Sequence, residues 1–370
     1  MRKLFFGLAL LGMALFTVSA ISTKDSLTSN FETGDTGIAS INALSFGPEG
    51  VLFIGDSKNA AIYALDTGDA TEQAPSERIN MEGFDEKVAA ALGTSADDIR
   101  ITDMAVEPSS KMIYFSVNVT DGTPVLLRLN GETLENVSLT NASFSRIGLE
   151  NAVDVDKKDR RGRSQRVWAI SDLKYHGGNV LVTGLSNKEF SSTFRSIPFP
   201  FNESQDYASL EIWHAAHGQY ETFAPIKAFD IINLNGEDHL MASYTCTPLV
   251  LFPLSDLVEG KHLKGRTVAE LGAGNSPLDM ISFEKEGKKF FIMSNTNRPV
   301  MRLKYENISS FKESMTEPIE EFAVAAGVPY DNLPMVNVLQ LDNYGDENVV
   351  YLQRTPSGDL VLRSRPNRWM

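Results

Sequence analysis

Six short oxygen-bearing side chains recur along this 370-residue chain, each followed by an apolar residue: Asn42-Ala43, Asp103-Met104, Asp172-Leu173, Asp230-Ile231, Asp279-Met280 and Asn337-Val338. Carboxylate and amide oxygens are hard donors, and three or four of them at about 2.4 Å suit Ca²⁺ rather than zinc. Four of the six are carboxylates. Brought together, each like-charged pair costs about 3 kcal/mol at ~6 Å and an effective dielectric of ~20. Such a group is tolerable when wet; when dry it must hold a cation or protons. The competing reading is structural, because an Asp or Asn at a strand start accepts hydrogen bonds from neighbouring backbone N–H groups.

The elements that must position these side chains repeat with them. After each Asp or Asn comes an alternating strand, a polar or glycine turn such as Gly47-Pro48-Glu49-Gly50 or His176-Gly177-Gly178-Asn179, and a second strand such as Val51-Leu52-Phe53-Ile54. The turns carry hairpin chemistry. Third strands follow, among them Ala61–Leu65 and Leu249–Phe252, and weaker fourth strands, of which Arg78–Met81 and Thr267–Glu270 are the clearest. The starts lie 49 to 69 residues apart. Four antiparallel strands at that spacing read as blades, and the fold expected is an all-β, six-bladed β-propeller; seven blades or a two-domain β protein are the competing readings. The sixth unit shows only three strands. The segment from about Ser26 to Glu32 is expected to supply its outer strand and close the ring, because closure removes open edges. Short helices are expected in two inter-blade links, over 86–92 and 320–326, each followed by a glycine, Gly93 or Gly327.

In such a fold the first strand of each blade lines a central channel. Asn42, Asp103, Asp172, Asp230, Asp279 and Asn337 should therefore ring one mouth, as the candidate metal ligands. The second-to-third-strand loops bring Asp56, Asn187, Cys246, Asn295, Arg298 and Arg354 to the same face, as the candidate ligand-binding residues. The link 154–166 carries six basic residues that could meet an anion, or form a solvated loop. His176, His214, His217, His239 and His262 fall near turns of the opposite face. Imidazole clusters suit zinc or copper, but His214 and His217, three apart on a strand, should point to opposite sides. No histidine is expected near Cys246, which reads as a packed thiol.

The opening Asn42-Ala43-Leu44-Ser45-Phe46-Gly47-Pro48-Glu49-Gly50 resembles the Asn-Gly-apolar-x-Phe-x-Pro-Asp-Gly blade opening of the gluconolactonase and paraoxonase-like calcium-dependent propellers, and of NHL-type propellers. The resemblance covers one blade well and the others through their Asp or Asn. It implies that these side chains ligate calcium, and that the ion would polarise a lactone or ester carbonyl. A calcium-dependent hydrolase is therefore the alternative to a non-catalytic binding or scaffold role.

Composition narrows the partners. A formal charge of −14 and 42% hydrophobic residues describe a globular, acidic protein. Nucleic-acid binders carry the opposite charge, so none is expected as a partner. Arg2, Lys3, the apolar run from Leu4 and the Val18-Ser19-Ala20 end have the form of a secretory leader over residues 1–20. Residues 21–370 are then one exported propeller, secreted or periplasmic and not an integral membrane protein. Its expected partner is a small molecule or another exported protein. With a single cysteine the chain has no internal disulfide.

Overall fold

The second strands explain why the sheets stack edge-on around an axis. Val51-Leu52-Phe53-Ile54 is apolar at every position, so both faces of its sheet must be covered. The computed structural model, which describes residues 26–73, 78–246 and 248–370, covers both. Val51 and Phe53 pack against Leu173 and Val182 on one side, while Leu52 and Ile54 pack against Tyr114 and Leu126 on the other. Repeated around the molecule, this pattern gives six interblade cores between six sheets. The expected leader over 1–20 lies outside the described residues.

Each sheet is a blade built on antiparallel strands, numbered by the chain order of its inner strand; at the edge of blade 3, Lys261–Lys264 adds a strand parallel to Asp206–His214. The inner strands are Ala43–Phe46, Ile99–Val106, Asp172–His176, Ile226–Leu234, Pro277–Lys285 and Val338–Asn343. The six-bladed, all-β architecture expected from the repeats is the one observed. The order of the blades around the axis is not the order along the chain. Blade 1 sits between blades 2 and 3, and blade 2 touches blade 6, so the ring runs 2, 1, 3, 4, 5, 6.

Two outer strands account for that order. Blade 1 ends not with the 78–81 strand but with Ala142–Gly148, which returns to it after the whole of blade 2. The strand Asn80–Met81 instead pairs with Leu360–Pro366 of blade 6. A segment from the first part of the chain thus closes the last blade, but it is not the Ser26–Glu32 segment. That region contributes Glu32–Gly34 as an extra strand outside blade 1, pairing with Phe144 and its neighbours. The ring is interlocked twice, since blades 1 and 6 each take an outer strand from elsewhere in the chain.

The first expected link helix is present as α1, Phe84–Leu92, ended by Gly93 at φ 70°. The second is not. Residues 320–325 turn and run extended, and Ala326–Gly327 joins the edge of blade 4 opposite Ala269. Ile319 N–H donates to Ala215 O and Val328 N–H to Val268 O, so both ends of this strap are tied to blades 3 and 4. A helix of under two turns is too weak to compete with those bonds. A short helix appears earlier instead, α2 at Tyr305–Ser310. Among the described residues no helix is long and apolar enough to cross a membrane.

Candidate functional site

The channel is lined by carboxylates that the blades use to hold one another. Asp103 of blade 2 accepts from Leu44 N–H of blade 1 at 2.7 Å, and Asp172 of blade 3 from Phe229 N–H of blade 4 at 3.1 Å. Asp279 of blade 5 accepts from Leu341 N–H of blade 6 at 2.7 Å, and Asp342 of blade 6 from Val106 N–H of blade 2 at 2.7 Å. The second oxygen of each accepts from the residue that follows it: Met104, Leu173, Met280 or Asn343. Register shifts immediately before Asp103 and Asp279 mark bulges, which re-aim a side chain out of the strand's alternation. Asp230 of blade 4 departs from the pattern. Its Oδ1 takes Lys174 Nζ at 2.7 Å as well as its own neighbour's N–H.

These groups sense one another across the channel. Burial, then the charges of Asp279 and Asp172, holds Asp103 well above the ordinary carboxylate range. Burial pushes Asp279 up to about 8, with Asp172 and Asp342 adding to it, and Asp172 up to about 7, with Lys174 opposing. Asp342 is lifted by burial to about 6. Burial alone would lower Lys174; the charges of Asp230, Asp172 and Asp342 outweigh it and raise it.

Four of the six expected ring members, Asp103, Asp172, Asp230 and Asp279, thus meet in the channel. Asn42 and Asn337 do not join them. Asn42 Oδ1 accepts from Ser40 Oγ and Ser57 N–H within its own blade, and Asn337 is exposed at φ 55°. Blade 6 is represented by Asp342, five residues later, a position the repeat did not single out. Among the described residues no three of these carboxylates bring oxygens within 4.8 Å of one another.

The expected mouth residues divide the same way. Asp56 is fully buried and accepts from Ala39 N–H, Ser40 Oγ and Asn59 N–H. Asn295 is buried too, taking Asn275 Nδ2 and donating to Met293 O and Pro299 O. Arg298 donates to Ala323 O and Arg354 to Gly358 O, while Asn187 is exposed. In the basic link, Arg163 pairs with Asp159 and Arg166 donates to Ser57 O and Val153 O, so part of that charge is spent internally.

Cys246 is the exception, and here the expectation about the histidines needs correction. The outer strand of blade 3, Asp206–His214, runs toward the mouth, so its end and the turn Ala215–His217 lie at the mouth face and not the opposite one. The turn also undoes the alternation that should have separated the two rings, and their centroids lie 3.8 Å apart. A ring nitrogen of His214, a ring nitrogen of His217 and Cys246 Sγ lie within 4.8 Å of one another. Glu221 accepts from both imidazoles at Nδ1, at 2.9 Å from His214 and 2.6 Å from His217. Burial would lift Glu221, but hydrogen bonds from His214 and His217 outweigh it and hold the carboxyl at about 2. The other histidines lie apart: His176 on Asp238, His239 on Glu237 O, and His262 at the outer edge between Ser209 and Glu211. The spacing His-x-x-His-x-x-x-Glu from 214 to 221 was the available signal.

A second feature lies on the flank of blade 6. A cavity of about 830 Å³ is lined by Arg78, Arg363, Arg365 and Arg368 with Tyr351 and Trp369. Arg363 donates to the neutral Asn80 and Gln353. Among the described residues none of the four arginines has an ion-pair partner.

No family model matches the chain, and no curated protein matches it. Solved structures match over most of its length. Drosophila Plexin A, in a complex with Semaphorin 1b, is 11% identical over 90% of this chain and 88% of that one, with a TM-score of 0.39. A putative oxidoreductase (glucose dehydrogenase) of Thermus thermophilus is 13% identical over 90% and 99%, with a TM-score of 0.32. The WD40 propeller domain of Doa1 is 8% identical over 91% and 97%, with a TM-score of 0.34.

Proposed function

We propose that this protein is an exported, non-catalytic β-propeller that binds a small multivalent anion in the arginine-lined cavity of blade 6. The observation that carries this reading is the gathering of four guanidinium groups around one cavity, without carboxylate partners among the described residues, in a chain of net charge −14. Like charges so placed repel, and an anion relieves that repulsion. Guanidinium forks match phosphate or carboxylate bidentately. Trp369, 58% exposed at the lip, offers a flat face to the remainder of the ligand. The channel is the weaker candidate for a reactive centre, since its carboxylates are engaged in latching neighbouring blades.

The test is calorimetric titration of the mature protein with inorganic tripolyphosphate and with citrate, repeated on Arg363→Ala/Arg365→Ala. Binding that weakens steeply with salt and is lost in the double variant is expected. Heat absent with both anions, or unchanged in the variant, would overturn the reading.

A further inference from the structure

The mouth-face cluster on blades 3 and 4 presents donors of a different kind from those of the channel. His214 is 2% exposed and Glu221 is 5% exposed, so the imidazole and its carboxylate have left water. With Nδ1 of both rings committed to Glu221, the nitrogens left to act are the two Nε2 atoms. Within the described residues His214 Nε2 has no hydrogen-bond partner. A buried polar atom in that state bears its full desolvation cost unless something occupies it. Glu270 Oε2 lies 3.9 Å from His214 Nε2, too far for a hydrogen bond. Cys246 sits opposite at φ 65°, a conformation that costs a non-glycine residue and here keeps its thiol near the rings.

We propose that His214 Nε2, His217 Nε2 and Cys246 Sγ bind a borderline-soft transition-metal ion of the zinc class, with Glu221 as the carboxylate that orients both imidazoles. Two nitrogens and one thiolate are a zinc donor set, and a hard cation such as calcium would decline it. A carboxylate on the far nitrogen of a ligating imidazole fixes the tautomer and aims the other nitrogen at the metal. Ligands that share one tetrahedral zinc lie about 3.3–3.8 Å apart. A ring nitrogen of each imidazole and Cys246 Sγ already lie within 4.8 Å of one another, so the three side chains need only a small rearrangement to close on an ion. On binding, the Cys246 thiol gives its proton to solvent and the sulfur donates as thiolate. Three protein donors leave a fourth tetrahedral position. His217, with a side chain 46% exposed, gives the ion its way in from solvent.

A purely packed arrangement would need none of this. A histidine kept only for packing is satisfied at the nitrogen it buries, whereas His214 is satisfied at Nδ1 and bare at Nε2. The anion cavity on blade 6 is built from other residues, so failure of one proposal leaves the other standing.

The test uses the mature protein, stripped with chelator and titrated with Co²⁺ as a spectral reporter and then with Zn²⁺ in competition. One equivalent of Co²⁺ is expected to give a thiolate-to-cobalt charge-transfer absorption together with tetrahedral d–d bands, both abolished by one equivalent of Zn²⁺. Cys246→Ser should lose the charge-transfer absorption while the protein stays folded by circular dichroism. Glu221→Gln should weaken Zn²⁺ binding about 10–100-fold. His217→Ala, whose side chain is half exposed, should weaken it more, and serves if Glu221→Gln fails to fold. The absence of a charge-transfer band in folded protein would overturn the proposal, as would an affinity unchanged in both Cys246→Ser and His217→Ala.

Discussion

The channel carboxylates and the rim imidazole of His214 are both polar groups withdrawn into a β-propeller, and they end in different states. Asp103, Asp172, Asp279 and Asp342 each hold two N–H groups, one of their own strand and one of the next blade. His214 holds a partner at one nitrogen and none among the described residues at the other. The first group recurs because the need it meets recurs: it joins four of the six seams between neighbouring inner strands. The second occurs once, where an outer strand of blade 3 and a hairpin loop of blade 4 meet. Repetition in this chain therefore marks architecture, and the departures from repetition mark the places where a ligand can be held.

Substitutions in the channel can break that contrast. Lys174→Met should have the largest effect, about 3–5 kcal/mol, because it strips the buried Asp230 carboxyl of the cation at 2.7 Å. Chemical denaturation measures it, and a loss below 1 kcal/mol would mean that the channel is wet enough to screen the pair. Asp279→Ala should cost about 1–3 kcal/mol by stripping the acceptor from Leu341 N–H and Met280 N–H. A neutral result would return Asp279 to the list of residues kept for a ligand.

A pH series sharpens the comparison. Asp172 and Asp279 have folded-state values raised to about 7 and about 8. A carboxyl that binds its proton more tightly when folded contributes stability that is complete below the unfolded value and is lost as pH rises through the folded one. The melting temperature should therefore fall from about pH 5 to about pH 9, and Asp279→Ala should flatten part of that fall. A melting temperature constant or rising across the same window would contradict the burial assigned to these carboxyls. The smallest effect belongs to Arg354→Ala, expected within about 0.5 kcal/mol, since the side chain of this exposed arginine donates to Gly358 O of its own turn.

How far these regions could be read in advance follows from the same physics. The blades were legible because alternating and doubly buried strands leave an imprint on every residue, and four channel carboxylates were legible because they share the imprint's phase. Asp342 was not, since it lies five residues beyond Asn337 on a strand with a register shift between Val338 and Gln340. The blade order 2, 1, 3 was also hidden. Nothing in Asn80-Met81 or Ala142–Gly148 states which blade's edge each joins. The His214–Cys246 proximity depends on where a strand ends and a turn begins, and residue spacing fixes such boundaries only to within a few positions.

Elemental analysis of the purified protein tests the contrast most directly, after stripping with chelator and dialysis against a mixture of Ca²⁺ and Zn²⁺. The account predicts one zinc per chain, lost on replacing His217, and no retained calcium. Stoichiometric calcium with no zinc would contradict it, and would place the ion among the very carboxylates assigned here to holding the blades together.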